Sequence, residues 1–130
     1  MEIDHIGYAV KKIERALNSF EKLGFIFEPV IDDSDRNIKI AFGEKDGYRI
    51  ELVCPLEKSK GSPVDAYLSN VGSTPYHICY RSDCLDRDKE KLQNQGFKVI
   101  IEPMPAAAFG GKRVLFMMNL YVGLMEIVEV

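Results

Sequence analysis

The chain has no tryptophan, only two histidines and three cysteines among 130 residues, and a net charge of −3. Most of these scarcities exclude something; the missing tryptophan carries no functional message. Without an excess of basic residues there is no electrostatic footprint for nucleic acid. Cys54, Cys79 and Cys84 are odd in number and include no Cys-x-x-Cys pair, so a disulfide framework is not expected and a reducing compartment suits them. No apolar stretch approaches the roughly 20 residues of a membrane span. The chain enters Ile3-Asp4-His5 at once, without a basic segment followed by an apolar run. A cytoplasmic protein that binds neither membrane nor nucleic acid is the expectation. With 46% hydrophobic and 28% charged residues, the chain can bury one substantial core, or two small modules sharing one.

What is present is a repetition. Ile3-Asp4-His5-Ile6-Gly7-Tyr8 is answered by Pro75-Tyr76-His77-Ile78-Cys79-Tyr80, and Arg49-Ile50-Glu51-Leu52-Val53 by Leu124-Met125-Glu126-Ile127-Val128. The histidines are 77 − 5 = 72 positions apart and the glutamates 126 − 51 = 75. Leu23-Gly24-Phe25 recurs as Gln95-Gly96-Phe97, again 72 later. One module is written twice, and each copy carries one imidazole early and one carboxylate late, inside apolar runs where an unpaired charge is costly.

The periodicities predict a βαβββ order in each copy. Ile3 to Val10 reads as a strand, followed by Ile13, Ala16, Leu17, Phe20 and Leu23 at helical spacing up to Gly24. Strands follow at Phe25 to Val30, Asn37 to Phe42 and Tyr48 to Cys54, with turns at 32–36 and 43–47. The second copy reads as a strand from Tyr76 to Tyr80, a weaker helix from about Leu85 to Gln95, and strands at Phe97 to Ile101, Arg113 to Met117 and Leu124 to Val130. A polar linker, 55–73, separates the copies, with a turn of helix at Val64 to Leu68. The segment from Glu102 to Gly111, rich in Pro, Ala and Gly, reads as a long loop of the kind that covers sites. The expected organisation is one α+β domain over 1–130, with module 1 at 1–54 and module 2 at 74–130.

Strand alternation puts His5 on a face with Gly7, Glu51 with Arg49 and Val53, His77 with Cys79, and Glu126 with Leu124 and Val128. A lone strand histidine is more often structural than ligating, and a lone strand glutamate usually faces solvent. Four such residues in register across two modules call for another reading. Two neutral imidazoles and two carboxylates suit a divalent first-row metal, with room for water or substrate oxygens.

The whole chain resembles the vicinal oxygen chelate superfamily, through Asp4-His5-Ile6-Gly7-Tyr8-Ala9-Val10, Glu51-Leu52-Val53, Tyr76-His77-Ile78 and Met125-Glu126-Ile127-Val128-Glu129. The resemblance implies two tandem βαβββ modules forming a cupped, mostly antiparallel sheet around one divalent ion (Ni, Co, Zn or Mn), with His5, Glu51, His77 and Glu126 as its ligands. The superfamily includes glyoxalase I, methylmalonyl-CoA epimerases, ring-cleaving dioxygenases and antibiotic-resistance proteins, so membership alone names no reaction. The ligand set is that of glyoxalase I, the lactoylglutathione lyase, which is the first expectation. Methylmalonyl-CoA epimerases usually have glutamine at the position of Glu51, yet Cys54-Pro55-Leu56, the stretch from Ser62 to Leu68 and Gly110-Gly111-Lys112-Arg113-Val114-Leu115-Phe116 resemble that branch. The turn into the last strand also lacks the Asp-Pro-Asp-Gly usual in glyoxalases.

On either branch a metal-chelated carbonyl makes the adjacent carbon acidic, and a carboxylate removes its proton. The resemblance assigns the base to Glu126; Glu51 is the second candidate, and Asp35 aligns with the further acid of the epimerases. The implied substrate is a small thiol adduct for a glyoxalase or an acyl-CoA for an epimerase, and the family implies a homodimer. A non-catalytic small-molecule-binding resistance protein is the reading of another class. Arg49 could hold a substrate carboxylate, and Lys112 and Arg113 a glutathione carboxylate or a coenzyme A phosphate, against the plain reading of solvated surface cations. Cys79 reads as a packing group, and Met117, Met118 and Met125 as core.

Overall fold

A computed structural model describes residues 1–130 as nine strands and three α-helices, an α+β fold as the sequence predicts. In chain order these are β1 (Glu2–Ala9), α1 (Ile13–Lys22), β2 (Ile26–Phe27), β3 (Ile31–Asp33), β4 (Ile38–Lys45) and β5 (Tyr48–Pro55), then α2 (Asp65–Asn70), β6 (Thr74–Ser82), α3 (Leu85–Asn94), β7 (Lys98–Pro105), β8 (Arg113–Asn119) and β9 (Gly123–Glu129). Short 3-10 turns occupy Lys58–Lys60 and Ala107–Phe109. No helix is long and apolar enough to cross a membrane. The chain forms two compact units, the first His5–Tyr76 and the second His77–Val130 with Met1–Asp4. The segment 55–73 carries α2 and belongs to the first unit.

In the first unit the strand order is β2-β4-β5-β1, with β3 paired to β4. β1 lies parallel to β5, with Gly7 opposite Glu51, while β4 and β5 form an antiparallel hairpin that sets Phe42 opposite Glu51. The second unit repeats this as β6-β9-β8-β7. β6 lies parallel to β9, with Cys79 opposite Glu126, and β8 sets Phe116 opposite Glu126.

Each unit packs its long helix on one face of its strands. Ile13 of α1 is buried against Val10, Ala41, Ile50, Leu52 and Cys54, with Ala16, Leu17 and Phe20 around them. Leu85 of α3 sits with Leu115, Met117, Met125 and Ile127. Both helices end alike. Gly24 (φ +96°) and Gly96 (φ +91°) take the left-handed conformation that glycine adopts at little cost. The Gly24 and Phe25 N–H groups donate to Glu21 and Phe20 carbonyls, and those of Gly96 and Phe97 to Gln93 and Leu92, the paired bonds of a Schellman cap. The apolar contact such caps bring is present too, since the Phe20 and Phe25 rings meet edge-on at 5.4 Å.

Two expected connections are strand instead. β4 runs through Gly43 to Lys45, and the turn shrinks to Asp46-Gly47. Gly43 is there for packing, because a Cβ at this position would come within 2.5 Å of the Phe27 ring. The expected loop from Glu102 is β7 as far as Pro105, with register shifts between Val99 and Ile101 and between Ile101 and Met104. β7 is the last strand in the order of its unit, and an edge strand with bulges tolerates Pro103 and Pro105 because their missing N–H groups face no partner strand.

Candidate metal and proton-transfer site

His5 and Glu51 lie on adjacent parallel strands of the first unit. Their alternation turns them to the face opposite the α1 core, and the two are 1% and 4% exposed. His5 Nε2 stands 3.7 Å from Glu51 Oε2. In the second unit His77 and Glu126, each 4% exposed, occupy the same strands of the repeat, with His77 Nε2 2.9 Å from Glu126 Oε2. Each unit therefore carries one buried imidazole–carboxylate pair presented through the same atoms. A carboxylate withdrawn from water is stable only when ionically paired, hydrogen-bonded or metal-bound. As donor types, the two imidazoles and two carboxylates fit a divalent ion.

A third position repeats with them, and sequence reasoning missed it. The Phe42 ring meets the His5 imidazole edge-on, with centroids 5.4 Å apart at 76°. Phe116 meets His77 in the same way at 5.6 Å and 86°. The two phenylalanines are 116 − 42 = 74 apart, a spacing between the 72 of the histidines and the 75 of the glutamates. That arithmetic was available in the sequence; the signal is weak because phenylalanine in a strand is ordinary core.

The two units differ around these trios. Arg49, half-buried, sets its guanidinium carbon 4.0 Å above the Phe42 ring, a cation–π contact, whereas Leu124 holds the corresponding place in the repeat. A cavity of about 230 Å³ lies beside Arg49, with Phe27, Glu28, Phe42 and Glu44 in its lining. Arg49 thus shares its strand face with Glu51, as expected.

The other expected residues lie elsewhere in their units. Asp35 is exposed in the turn between β3 and β4. The turn leads into β4 at Ile38, four residues and about 13 Å of strand from Phe42. The buried acid of this turn is Asp33, whose carboxylate accepts from the Arg36 backbone N–H and from its guanidinium, both at 3.1 Å. Lys112 is exposed after the Gly110-Gly111 turn. Arg113, expected to meet substrate, gives its guanidinium to Glu129 at 2.8 and 2.6 Å and to Asp86 at 3.4 and 3.2 Å. The hydrogen bonds from the Arg113 guanidinium hold the Glu129 carboxyl below its usual range. Cys79 is fully buried beside Ala106, Val114 and Val128, a packing group as the sequence suggests. Burial likewise pushes the Cys54 thiol up, away from the reactive thiolate.

Comparison with known proteins identifies the family and the fold. Residues 4–116 match the model of the Glyoxalase/Bleomycin resistance protein/Dioxygenase superfamily. The chain is 28% identical over 117 residues to the ethylmalonyl-CoA/methylmalonyl-CoA epimerase of Cereibacter sphaeroides, a match covering 88% of this chain and 86% of that protein. A solved structure of a hypothetical protein from Bacillus halodurans matches with a TM-score of 0.86 at 28% identity, covering 99% of this chain and 94% of that one. Methylmalonyl-CoA epimerase from Mycobacterium tuberculosis matches with a TM-score of 0.84 at 26% identity, covering 98% and 87%. The chain belongs to the glyoxalase/bleomycin resistance protein/dioxygenase superfamily, the vicinal oxygen chelate proteins.

Proposed function

We propose that this protein is a metal-dependent acyl-CoA epimerase of the methylmalonyl-CoA type, exchanging the proton on the carbon between a carboxylate and a thioester. The observation that carries the reading is the twofold presentation of a buried His–Glu pair at matching register, in a chain whose named relatives are epimerases of such substrates. His5, Glu51, His77 and Glu126 would hold one divalent ion, whose chemistry is to polarise the thioester carbonyl and so acidify the neighbouring carbon.

The rest falls to the chain's own residues. Glu126, drawn out of water and kept near the His77 imidazole, takes the proton from one side of the substrate carbon. Glu51, its counterpart in the first unit, already protonated from solvent, delivers that proton from the other side, and Glu126 then releases the abstracted one to solvent. We assign this second role to Glu51 rather than Asp35 because Glu51 is buried beside an imidazole, whereas Asp35 is exposed in a turn. Arg49 holds the substrate carboxylate with its guanidinium fork. Burial of His5, Glu51, His77 and Glu126 keeps the two carboxylates out of bulk water, where they act more strongly as acid and base.

One feature favours a second reading. Glu51 completes the ligand set that the resemblance gives for glyoxalase I, where the proton returns to the adjacent carbon of a methylglyoxal–thiol adduct. The same metal-restored preparation separates the two in parallel assays. Exchange of solvent deuterium into methylmalonyl-CoA, with no isomerisation of methylglyoxal–glutathione, is the expected result; the converse would replace the epimerase by the lyase.

A further inference from the structure

The duplicated phenylalanines have no part in the proton transfer, yet they sit where the two imidazoles can be steered. Around them the repeat has diverged. Ala41 is answered by Leu115, Gly43 by Met117 and Arg49 by Leu124, while the phenylalanine opposite each glutamate is the same. Its ring stands edge-on to the imidazole in both units, with centroid distances 0.2 Å apart. Phe42 is 2% exposed and Phe116 half-buried, so both rings are confined by their strands rather than swinging in solvent.

An imidazole rotates about its terminal torsion in a broad, roughly twofold well, and a flip exchanges Nδ1 for Nε2 at the place a ligand atom must occupy. In both units it is Nε2 that faces the glutamate oxygen. A perpendicular aromatic neighbour narrows that well, because the ring quadrupoles favour edge-to-face contact. Hydrogen-bond partners that fix the orientation of a metal-binding histidine typically change metal affinity about 10- to 100-fold when removed, and a ring contact in the same role belongs at the low end of that range.

We infer that Phe42 and Phe116 are positioning residues, orienting the His5 and His77 imidazoles so that Nε2 is presented for metal binding before any metal arrives. This rests on the proposal that both histidines are ligands. A purely structural role would be that of core filler, and the two roles separate experimentally. Leu115 is the control, since it is fully buried beside Phe116 in sequence but packs in the α3 core on the other face of β8.

The test titrates Co2+ into the metal-free full chain by calorimetry and records the visible absorption of the Co2+ protein. The variants are Phe42→Leu, Phe116→Leu, Phe116→Tyr and Leu115→Ala, with melting curves of each metal-free form. The inference expects Co2+ affinity to fall about tenfold in each Phe→Leu variant, with an altered d–d spectrum, and Phe116→Tyr to restore most of the loss. Leu115→Ala is expected to lower the melting temperature while leaving affinity and spectrum unchanged. Wild-type affinity and spectrum in both Phe→Leu variants would overturn the inference while leaving the metal site intact. Failure of the wild-type chain to bind Co2+ would overturn the metal reading itself, and the inference with it.

Discussion

Replacing Glu126 by glutamine separates holding a metal from moving a proton. Glu126 is 4% exposed, and its Oε2 lies 2.9 Å from His77 Nε2. The amide keeps nearly the same volume and one oxygen that can still face the imidazole or a metal, so the fold and part of the metal affinity survive. It cannot accept a proton at neutral pH. Loss of a general base usually costs at least about 100-fold in rate, which at 1.36 kcal/mol per factor of ten is about 2.7 kcal/mol of barrier. The assay follows solvent deuterium entering methylmalonyl-CoA by proton NMR, with bound metal measured on the same sample. Exchange within about threefold of wild type, at equal metal content, would refute Glu126 as the base.

Three further outcomes follow from the same structure. Changing His5 or His77 to alanine removes a nitrogen donor that water replaces poorly, and is expected to strip most bound metal from the protein, read by elemental analysis after dialysis. Glu51→Gln is expected to slow exchange from one epimer far more than from the other, while Asp35→Asn changes either rate less than about tenfold, or 1.4 kcal/mol; the opposite pattern would return the second acid to Asp35. Asp88 is held below the usual carboxylate range by the Arg87 guanidinium, at 3.0 Å, and by the Ser82 hydroxyl, at 2.5 Å. A carboxyl lowered on folding stabilises the protein above its unfolded value, and that contribution disappears as pH falls through the folded one. The melting-temperature gap between wild type and Asp88→Asn should therefore be full at pH 7 and close below about pH 4, the ordinary aspartate range.

The repeat was the legible part of this chain. Alternation in Ile3 to Val10 and Tyr48 to Cys54, and helical spacing from Ile13 to Leu23, place β1, β5 and α1 within a residue or two of where they lie. β1 and α1 are half-buried, and half-burial writes a periodic pattern, whereas β5 is buried on both faces from Ile50 to Cys54 and stands out as an apolar run interrupted by Glu51. The misreadings came where glycine or proline serves something other than a turn. Gly43 makes room for Phe27, and Pro103 and Pro105 sit on an edge strand whose bulges absorb them. Of the strand expected from Phe25 to Val30 only Ile26–Phe27 is strand, as β2, while β3 (Ile31–Asp33) lies beyond it, partly within the turn expected at 32–36, and pairs with β4.

At the site, the residue types were readable and the partners were not. His5, Glu51, His77 and Glu126 announce themselves because polar groups recur inside apolar runs. Phe42 and Phe116 do not, since a strand phenylalanine reads as core until its edge-on contact with the imidazole is seen. Arg113 looked available for substrate because Asp86 and Glu129 are 27 and 16 positions away, and only folding brings them to its guanidinium. The resemblance points to Asp35 as the further acid, and burial, which the sequence does not show, distinguishes that exposed residue from Asp33, buried two positions earlier.

The proposed epimerase moves a proton next to a metal-polarised thioester carbonyl. Its most direct test is deuterium exchange into a single epimer of methylmalonyl-CoA in D2O, using metal-free protein before and after Co2+ is restored. Negligible exchange is expected without the ion, and with it exchange accompanied by formation of the other epimer. Equal rates in the two samples, or no exchange in either, would contradict it.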